Sequence, residues 1–495
     1  MTWNLNLPYC DDLPTKPNPK LGKVLVTGAS GYVGGRLVSE LTERGYDVRV
    51  MVRVNSPEHK DRWPKSEIVV ADAFSLSSLK RALEGISVAY YLIHSLLLGC
   101  KEFENADTKA ASNFREAAEF NNIKRIIYLG GLGDIRTELS DHLKSRIMVS
   151  DEFSRSSIPV TVLRAAVIVG SGSASFEIVK DLVKNIPVFF VPKWARTKCQ
   201  PISIRDTIKY LVGVLEIEKT SGESFDIGGS KRLSYKEMMK VFAAILNKKV
   251  LFINVFFSNY NFFSYMANLF TPVPAKLIKV LFESGGSEVV CKNSKIKEYL
   301  NFTPLSYSEA IVFALDREDQ DRIRTTWSDA YPPAHDLAVK LTEVYPTYYN
   351  SSYSLVTKKS ESAIYNSFCK IGGKDGWFHS NWIWRLRGLL DTLLMGVGSA
   401  RKRRSKSTLR INDVIGFWRI EDLKQNKRLL LRAEMILPGK GWLEFLVANK
   451  KGENKLSVTA YFQHKNFFGR VYWYTFLPFH IFIFEGLIKQ IERRS

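Results

Sequence analysis

Residues 24–34 read Val-Leu-Val-Thr-Gly-Ala-Ser-Gly-Tyr-Val-Gly, and this stretch constrains the fold more than any other. An apolar run, Val24 to Val26, stops at Thr27. Glycines follow at 28, 31 and 34, then apolar residues at helical spacing, Val38 and Leu41. The pattern is strand, glycine turn, helix. Gly28 permits the tight turn, Gly31 lets a diphosphate approach bare backbone, and Gly34 lets the helix pack closely on the strand. The helix start presents unpaired N–H groups and a positive dipole end to phosphate. A glycine turn can also join a strand to a helix with no ligand, so the surrounding pattern has to decide.

That pattern is regular. Apolar runs at 46–53, 68–72, 88–93, 125–129 and 160–164 read as further strands, separated by helical stretches at 78–84, 105–120 and 141–156. Strands that alternate with helices and carry near-continuous apolar runs form a buried parallel sheet. The expectation is a Rossmann-type doubly wound α/β domain that binds a nucleotide through Thr27, Gly28, Ser30, Gly31, Tyr32, Val33 and Gly34.

The second strand ends at Arg53, with no acid before Glu58. An acid there would hold the adenosine ribose hydroxyls, whereas an arginine suits a 2′-phosphate. NADP(H) is therefore expected over NAD(H), with Arg49 and Arg36 also in reach; a solvated strand-end charge is the alternative for Arg53. Asp72, with Ala73 beside it, ends the third strand, where a carboxylate can accept from the adenine amino group or cap a loop.

These residues resemble the extended and atypical short-chain dehydrogenase/reductases. The resemblance rests on residues 27–34, on Asp72, and on the fourth-strand end Ile93-His94-Ser95, and it covers about residues 20–320. More narrowly, the chain resembles the NmrA-like NAD(P)H-binding branch fused to a C-terminal domain of unknown function, through Leu163-Arg164-Ala165-Ala166-Val167-Ile168-Val169-Gly170-Ser171-Gly172 and Gln200-Pro201-Ile202-Ser203-Ile204-Arg205-Asp206. The resemblance implies the fold and a nicotinamide cofactor, with Ile93 and His94 beside it. It leaves the reaction open, because the superfamily includes reductases, epimerases, dehydratases and cofactor sensors that catalyse nothing.

One departure bears on catalysis. Active members carry a serine after the fifth strand and a tyrosine and lysine four residues apart on the next helix. Here the fifth strand runs into Gly130-Gly131-Leu132-Gly133, and the helix offers Ser140-Asp141-His142-Leu143-Lys144-Ser145-Arg146. His142 and Arg146 share one helix face at that four-residue spacing. Imidazole titrates near neutrality and can move a proton, while Arg146 can hold a ribose and lower the histidine pKa. A capping or surface histidine is the alternative, and loss of the tyrosine also fits a sensor that catalyses nothing.

The five cysteines (Cys10, Cys100, Cys199, Cys291, Cys369) are scattered and odd in number, which argues against a disulfide framework and a zinc site and for a reducing cytoplasm. The seven histidines show no metal-ligand spacing. No charged-then-apolar signal pattern opens the chain. The net charge of +21 calls for an anionic partner. Its densest cluster is Arg401-Lys402-Arg403-Arg404-Ser405-Lys406, read as a solvated loop or as a peripheral contact with the inner face of an anionic membrane. Nucleic acid is disfavoured, since no recognition motif accompanies the charge.

Residues 200–320 read as a substrate-side lobe. Within it Ser234 and Glu237 form a capping pair, 221–229 a loop and short strand, and 251–282 a Phe- and Leu-rich stretch suited to a lipophilic pocket or a membrane surface. Residues 321–345, with Trp327 and Pro332-Pro333, read as a linker. Beyond it, period-two runs at 352–358, 414–421, 427–436, 442–449 and 455–463 predict antiparallel strands, and 471–488 a final helix. This second domain, 335–495, is an α+β antiparallel sheet with a C-terminal helix, similar to the START/polyketide-cyclase-like fold, which usually encloses a hydrophobic ligand cavity. Its tryptophans (Trp377, Trp382, Trp384, Trp418, Trp442, Trp473) either line such a cavity or pack in a core.

The sequence thus reads as an NADP(H)-dependent oxidoreductase, or a redox-neutral epimerase or isomerase, acting on an apolar or lipid-like carbonyl or alcohol. The alternative is a non-catalytic NAD(P)H-binding sensor or assembly module at a membrane surface.

Overall fold

The computed structural model describes residues 8–53, 58–94, 103–133, 139–319, 325–326, 341, 348–373, 376–394, 396–398, 401, 403, 409–411, 413–450, 453–464 and 467–495. Ser95, Cys100, most of the 321–345 linker, and Lys402, Arg404, Ser405 and Lys406 lie outside the described residues. The chain divides into two units, one of residues 1–267 and 275–330, the other of 268–274 and 331–495.

The first unit is built on strands β1 (Lys23–Val26), β2 (Val48–Val52), β3 (Glu67–Val70), β4 (Ile86–Tyr91), β5 (Arg125–Gly131) and β6 (Val160–Ala165). Short pairs follow: β7 (Ile168–Val169) with β10 (Ile202–Ser203), β8 (Val188–Val191) with β13 (Leu251–Asn254), and β9 (Lys198–Cys199) with β12 (Leu233–Ser234). The seventh member of the main sheet is β11 (Ser224–Ile227), so the order is β11-β6-β5-β4-β1-β2-β3, parallel throughout. The short strand expected within 221–229 is therefore Ser224–Ile227, an edge of the main sheet.

Alternating side chains fill two cores. Val24, Val26, Val50, Val88 and Ile127 pack on one face with helix α1 (Gly34–Glu43) and helix Ile204–Glu216; Leu25, Met51, Ala89, Ile126 and Tyr128 pack on the other. That second face is covered by α3 (Leu76–Ala82), α4 (Phe103–Phe120) and α5 (Asp141–Ser154), while α2 (Glu58–Arg62) follows β2. A parallel strand buried on both faces has to be apolar at nearly every position, as β1 is. Because the winding reverses between β1 and β4, a crevice opens at the carboxyl ends of these two strands.

In the second unit six antiparallel strands run in the order β14 (Tyr349–Thr357), β19 (Glu453–His464), β18 (Gly439–Lys450), β17 (Arg428–Ala433), β16 (Trp418–Lys424), β15 (Val414–Ile415). The expected strand at 414–421 is split at Gly416, which has φ +59°. The C-terminal helix, Phe467–Arg493, packs Trp473, Ile483, Phe484, Leu487 and Ile491 into the core with Leu443, Phe445 and Val458. Trp377, Trp418, Trp442 and Trp473 are buried core residues, whereas Trp382 is exposed.

Candidate functional site

The glycine turn lies at the β1/β4 crevice. Thr27 is fully buried; its hydroxyl donates to Tyr90 O (2.9 Å) and accepts from Leu92 N–H (3.0 Å), tying the end of β1 to the end of β4. Gly28 has φ +61°, and a Cβ there would lie 2.5 Å from Leu92 O. A Cβ on Gly34 would overlap Gly28 O, so α1 starts against the turn only because residue 34 is glycine. Val33, at the head of α1, makes no side-chain cap, and Ser30, Gly31, Tyr32 and Val33 are half-buried. A helix start left uncapped at a crevice presents donors to an anion. On these grounds the turn fits the diphosphate of a dinucleotide.

The adenosine side differs in part from expectation. Arg53 follows β2 directly and is exposed, with no partner among the described residues. Arg36 and Arg49 do not reach this region as expected. Arg36 is buried and donates to Tyr32 O, Ser171 O and Thr325, which pins two loops to α1. Arg49 bonds Ala82 O, Glu84 O and the Glu67 carboxylate. Asp72 is exposed and its Oδ1 accepts from Phe74 N–H (3.0 Å), so it does cap its own loop; Ala73 O accepts from Asn113.

Across the crevice, β4 and α5 bring the two expected histidines together. His94 Nε2 lies 2.9 Å from His142 Nε2. His94 Nδ1 faces Asp107 Oδ2 (3.4 Å), which also accepts from Ser145 Oγ (2.9 Å). His142 Nδ1 faces Ser284 Oγ (3.0 Å), and Ser284 Oγ lies 3.0 Å from Ser140 Oγ. Ser140 caps α5, accepting from Leu143 N–H. Arg146, one turn after His142, donates to Leu129 O and Ile93 O, and its guanidinium stacks over Tyr128.

Burial, the His94 ring and the Arg146 charge hold His142 well below the ordinary imidazole range. Burial also lowers His94, against the raising effect of Asp107. Both rings are neutral near pH 7, and the partners then fix the tautomers. A carboxylate only accepts, so His94 carries its proton on Nδ1 and accepts at Nε2. His142 must therefore donate from Nε2, which leaves its Nδ1 an acceptor facing the Ser284 hydroxyl, whose single proton is divided between His142 Nδ1 (3.0 Å) and Val280 O (2.9 Å). Ser140 in turn donates to Ser284. The donors of His142 and His94 point toward Asp107, Val280 O competes for the Ser284 proton, and the open end of the chain is the half-buried serine pair. Such a chain can take a proton at the serine end and, with its polarity reversed, return it.

Asp107 and Ser284 were not singled out in the sequence. They come from α4 and from helix Ala275–Ser284, and Ser284 is 142 residues from His142. Only the fold brings them together. No cluster of metal-ligand type occurs among the described residues. Cys10, Cys199, Cys291 and Cys369 are free thiols. The basic cluster is not wholly a solvated loop. Arg401 is buried against Glu434 (2.7 Å), and Arg403 donates to Cys369 O and Ile371 O.

Comparison with known proteins agrees with this architecture. Residues 28–174 match a family described as NAD(P)H-binding, and residues 345–487 match a family described as a protein of unknown function (DUF2867). A divinyl chlorophyllide a 8-vinyl-reductase from Cucumis sativus is 23% identical over 48% of this chain and 60% of its own length. Photosystem II assembly factor Ycf39 from Trieres chinensis is 21% identical over 42% of this chain and 64% of its own. A 3-beta-hydroxysteroid dehydrogenase from Mycolicibacterium neoaurum is 33% identical over 22% of this chain and 31% of its own. This chain therefore spans about three-fifths of the length of the vinyl-reductase relatives. A nucleoside-diphosphate-sugar epimerase structure from Staphylococcus aureus covers 58% of this chain and 99% of its own, with a TM-score of 0.49 at 16% identity. The first unit contains the stretch that matches the NAD(P)H-binding family.

Proposed function

We propose that this NAD(P)H-binding chain is an oxidoreductase, or a redox-neutral isomerase, that uses NADP(H) and acts on an apolar carbonyl or alcohol. The observation that carries the reading is the hydrogen-bonded chain Ser140–Ser284–His142–His94–Asp107 at the carboxyl edge of the sheet, beside the glycine turn. A bound nicotinamide supplies or accepts the hydride. The protein's own part is to move the matching proton and to hold the dinucleotide.

His142 stands at the spacing where related enzymes place tyrosine, and a neutral imidazole donates from one nitrogen while accepting at the other. Asp107 holds His94 in the tautomer that accepts from His142. Arg146, anchored on Leu129 O and Ile93 O, places a fixed positive charge beside the rings and keeps them neutral. Gly28, Gly31 and the start of α1 would hold the diphosphate. Arg53 would meet a 2′-phosphate, the feature that favours NADP(H). The antiparallel second unit, read as START-like, would present the hydrophobic substrate.

A second reading has its own support: a relative named as an assembly factor, together with the missing tyrosine, fits a dinucleotide sensor without catalysis. Titration with NADPH and NADH, followed by nicotinamide fluorescence at fixed salt, tests the shared premise. Tight NADPH binding and weaker NADH binding are expected, and no binding of either would remove both readings. His142→Ala then separates them. An enzyme loses about 10²-fold or more in turnover of an apolar carbonyl panel at unchanged NADPH affinity, whereas a sensor keeps its function.

A further inference from the structure

In the second unit two helices carry their apolar faces outward. On helix Asn381–Leu393 the exposed positions are Trp382, Arg385, Leu386, Leu389 and Leu390, continuing through Leu393 into Leu394, at the 3–4-residue spacing of one helical face. The side turned into the protein carries Ile383 and Trp384, which pack on the core with Trp384 stacked 4.3 Å from Trp377, and then Arg387, Gly388 and Asp391. Asp391 is fully buried and accepts from Gly398 N–H (2.8 Å) and Ile436 N–H (2.7 Å). An anchored inner side combined with a row of four exposed leucines and a tryptophan outside is unlike a helix on a water-facing surface, whose outer side is polar.

The C-terminal helix does the same along its first half. Phe467, Val471, Tyr474, Phe479 and Phe482 are 48–72% exposed. No charged residue occurs from Val471 to Phe484, and then Glu485, Lys489, Glu492 and Arg493 take over. The 27-residue helix is long and apolar enough to cross a bilayer, yet its other face is anchored in the core of the sheet by Trp473, Phe484 and Leu487. It therefore cannot leave to span one without emptying that core. The two helices are neighbours: the Arg387 charge acts on the Tyr472 hydroxyl, and the ring of His379, two residues before the first helix, lies 5.5 Å from that of Phe482 at a tilt of 58°.

The charge selects the occupant. Residues 331–495 hold 27 Lys and Arg against 13 Asp and Glu, which gives this third of the chain +14 of the total +21. A second copy would bring the same charge to the contact and be repelled, while a surface of anionic lipid headgroups would be attracted. Aromatic and leucine side chains on a helix lying flat, with basic residues nearby, suit the boundary between headgroups and acyl chains. We infer that the outward faces of helix Asn381–Leu393 and of the first half of helix Phe467–Arg493 dock together on an anionic bilayer surface, embedded but not spanning. The inference does not depend on the nucleotide reading.

The test is co-sedimentation of the full-length protein with vesicles of phosphatidylcholine alone and with added phosphatidylglycerol. Pelleting with the anionic vesicles, weakened by salt, is expected. The double variant Leu389→Glu/Phe479→Glu should bind at least about tenfold more weakly, since each side chain loses its burial in lipid. Both positions are exposed, so the variant should keep the wild-type melting temperature and NADPH affinity. Failure of the wild type to pellet with either vesicle would overturn the inference, as would equal pelleting of a folded double variant. Dimerisation that the double variant abolishes, without vesicle binding, would overturn it in favour of a second copy.

Discussion

Two neutral imidazoles in contact can share only one proton between their facing nitrogens, so the polarity of this pair is set from outside, by Asp107 at one end and Ser284 at the other. Asp107 is 2% exposed and accepts from both His94 and Ser145. Asp107→Asn keeps the shape but removes the negative charge facing His94 and replaces one of the two acceptor oxygens with an amide donor. The expected result is a loss of about 10²-fold or more in turnover with NADPH affinity unchanged, read by steady-state kinetics beside a fluorescence titration. Arg53 is exposed, so Arg53→Ala should leave stability unaltered. It should weaken NADPH by about tenfold, the loss of one charge-assisted phosphate contact, and leave NADH alone. His142 and Arg146 were legible as a pair because four-residue spacing on a helix is a local property. Asp107 and Ser284 were not, because an Asp and a Ser on distant helices carry no signal until tertiary packing brings them to one place.

At the scale of elements, the strand–turn–helix entry was plain in the sequence because each glycine has a steric duty. Gly34→Ala would drive a methyl into the Gly28 carbonyl, and backbone cannot yield as a side chain does. The expected cost is about 2 kcal/mol or more, seen as a lower urea midpoint together with weaker NADPH binding. The buried strands were legible from their apolar runs, to within a few residues at their ends. The edge position of β11 was not, since Ser224–Ile227 is four residues long and pairs with a strand 62 residues earlier, Val162 facing Ser224. The inward turn of Arg401 and Arg403 was hidden for a related reason. A run of basic residues reads as solvated unless the acid and carbonyl partners, here Glu434, Cys369 and Ile371, can be located.

For the whole molecule, pH acts through histidines held neutral. His59 and His480 are each lowered from 6.5 to about 4, His59 by burial and Arg62, His480 by burial alone; His94 and His142 are also lowered. Above pH 6.5 these groups are neutral in both folded and unfolded chains and cost nothing. As pH falls from 6.5 toward 4 the unfolded chain takes up protons that the folded one refuses. Stability should then drop by up to about 1.4 kcal/mol per pH unit for each group, measurable as a falling melting temperature across that window. A set of melts that stays flat from pH 7 to 4.5 would contradict the buried neutral state.

The late arrival of β11 bears on how the chain is made. β6 is finished at residue 165, but the strand that covers its free edge comes only with Ser224–Ile227, and helix Ile204–Glu216, which supplies partners for Arg125 and Tyr90, comes only slightly before. A nascent chain emerging from the ribosome therefore carries an unpaired, apolar β6 edge through some sixty residues of synthesis. A fragment cut at residue 174, where the NAD(P)H-binding match ends, would keep that edge permanently open.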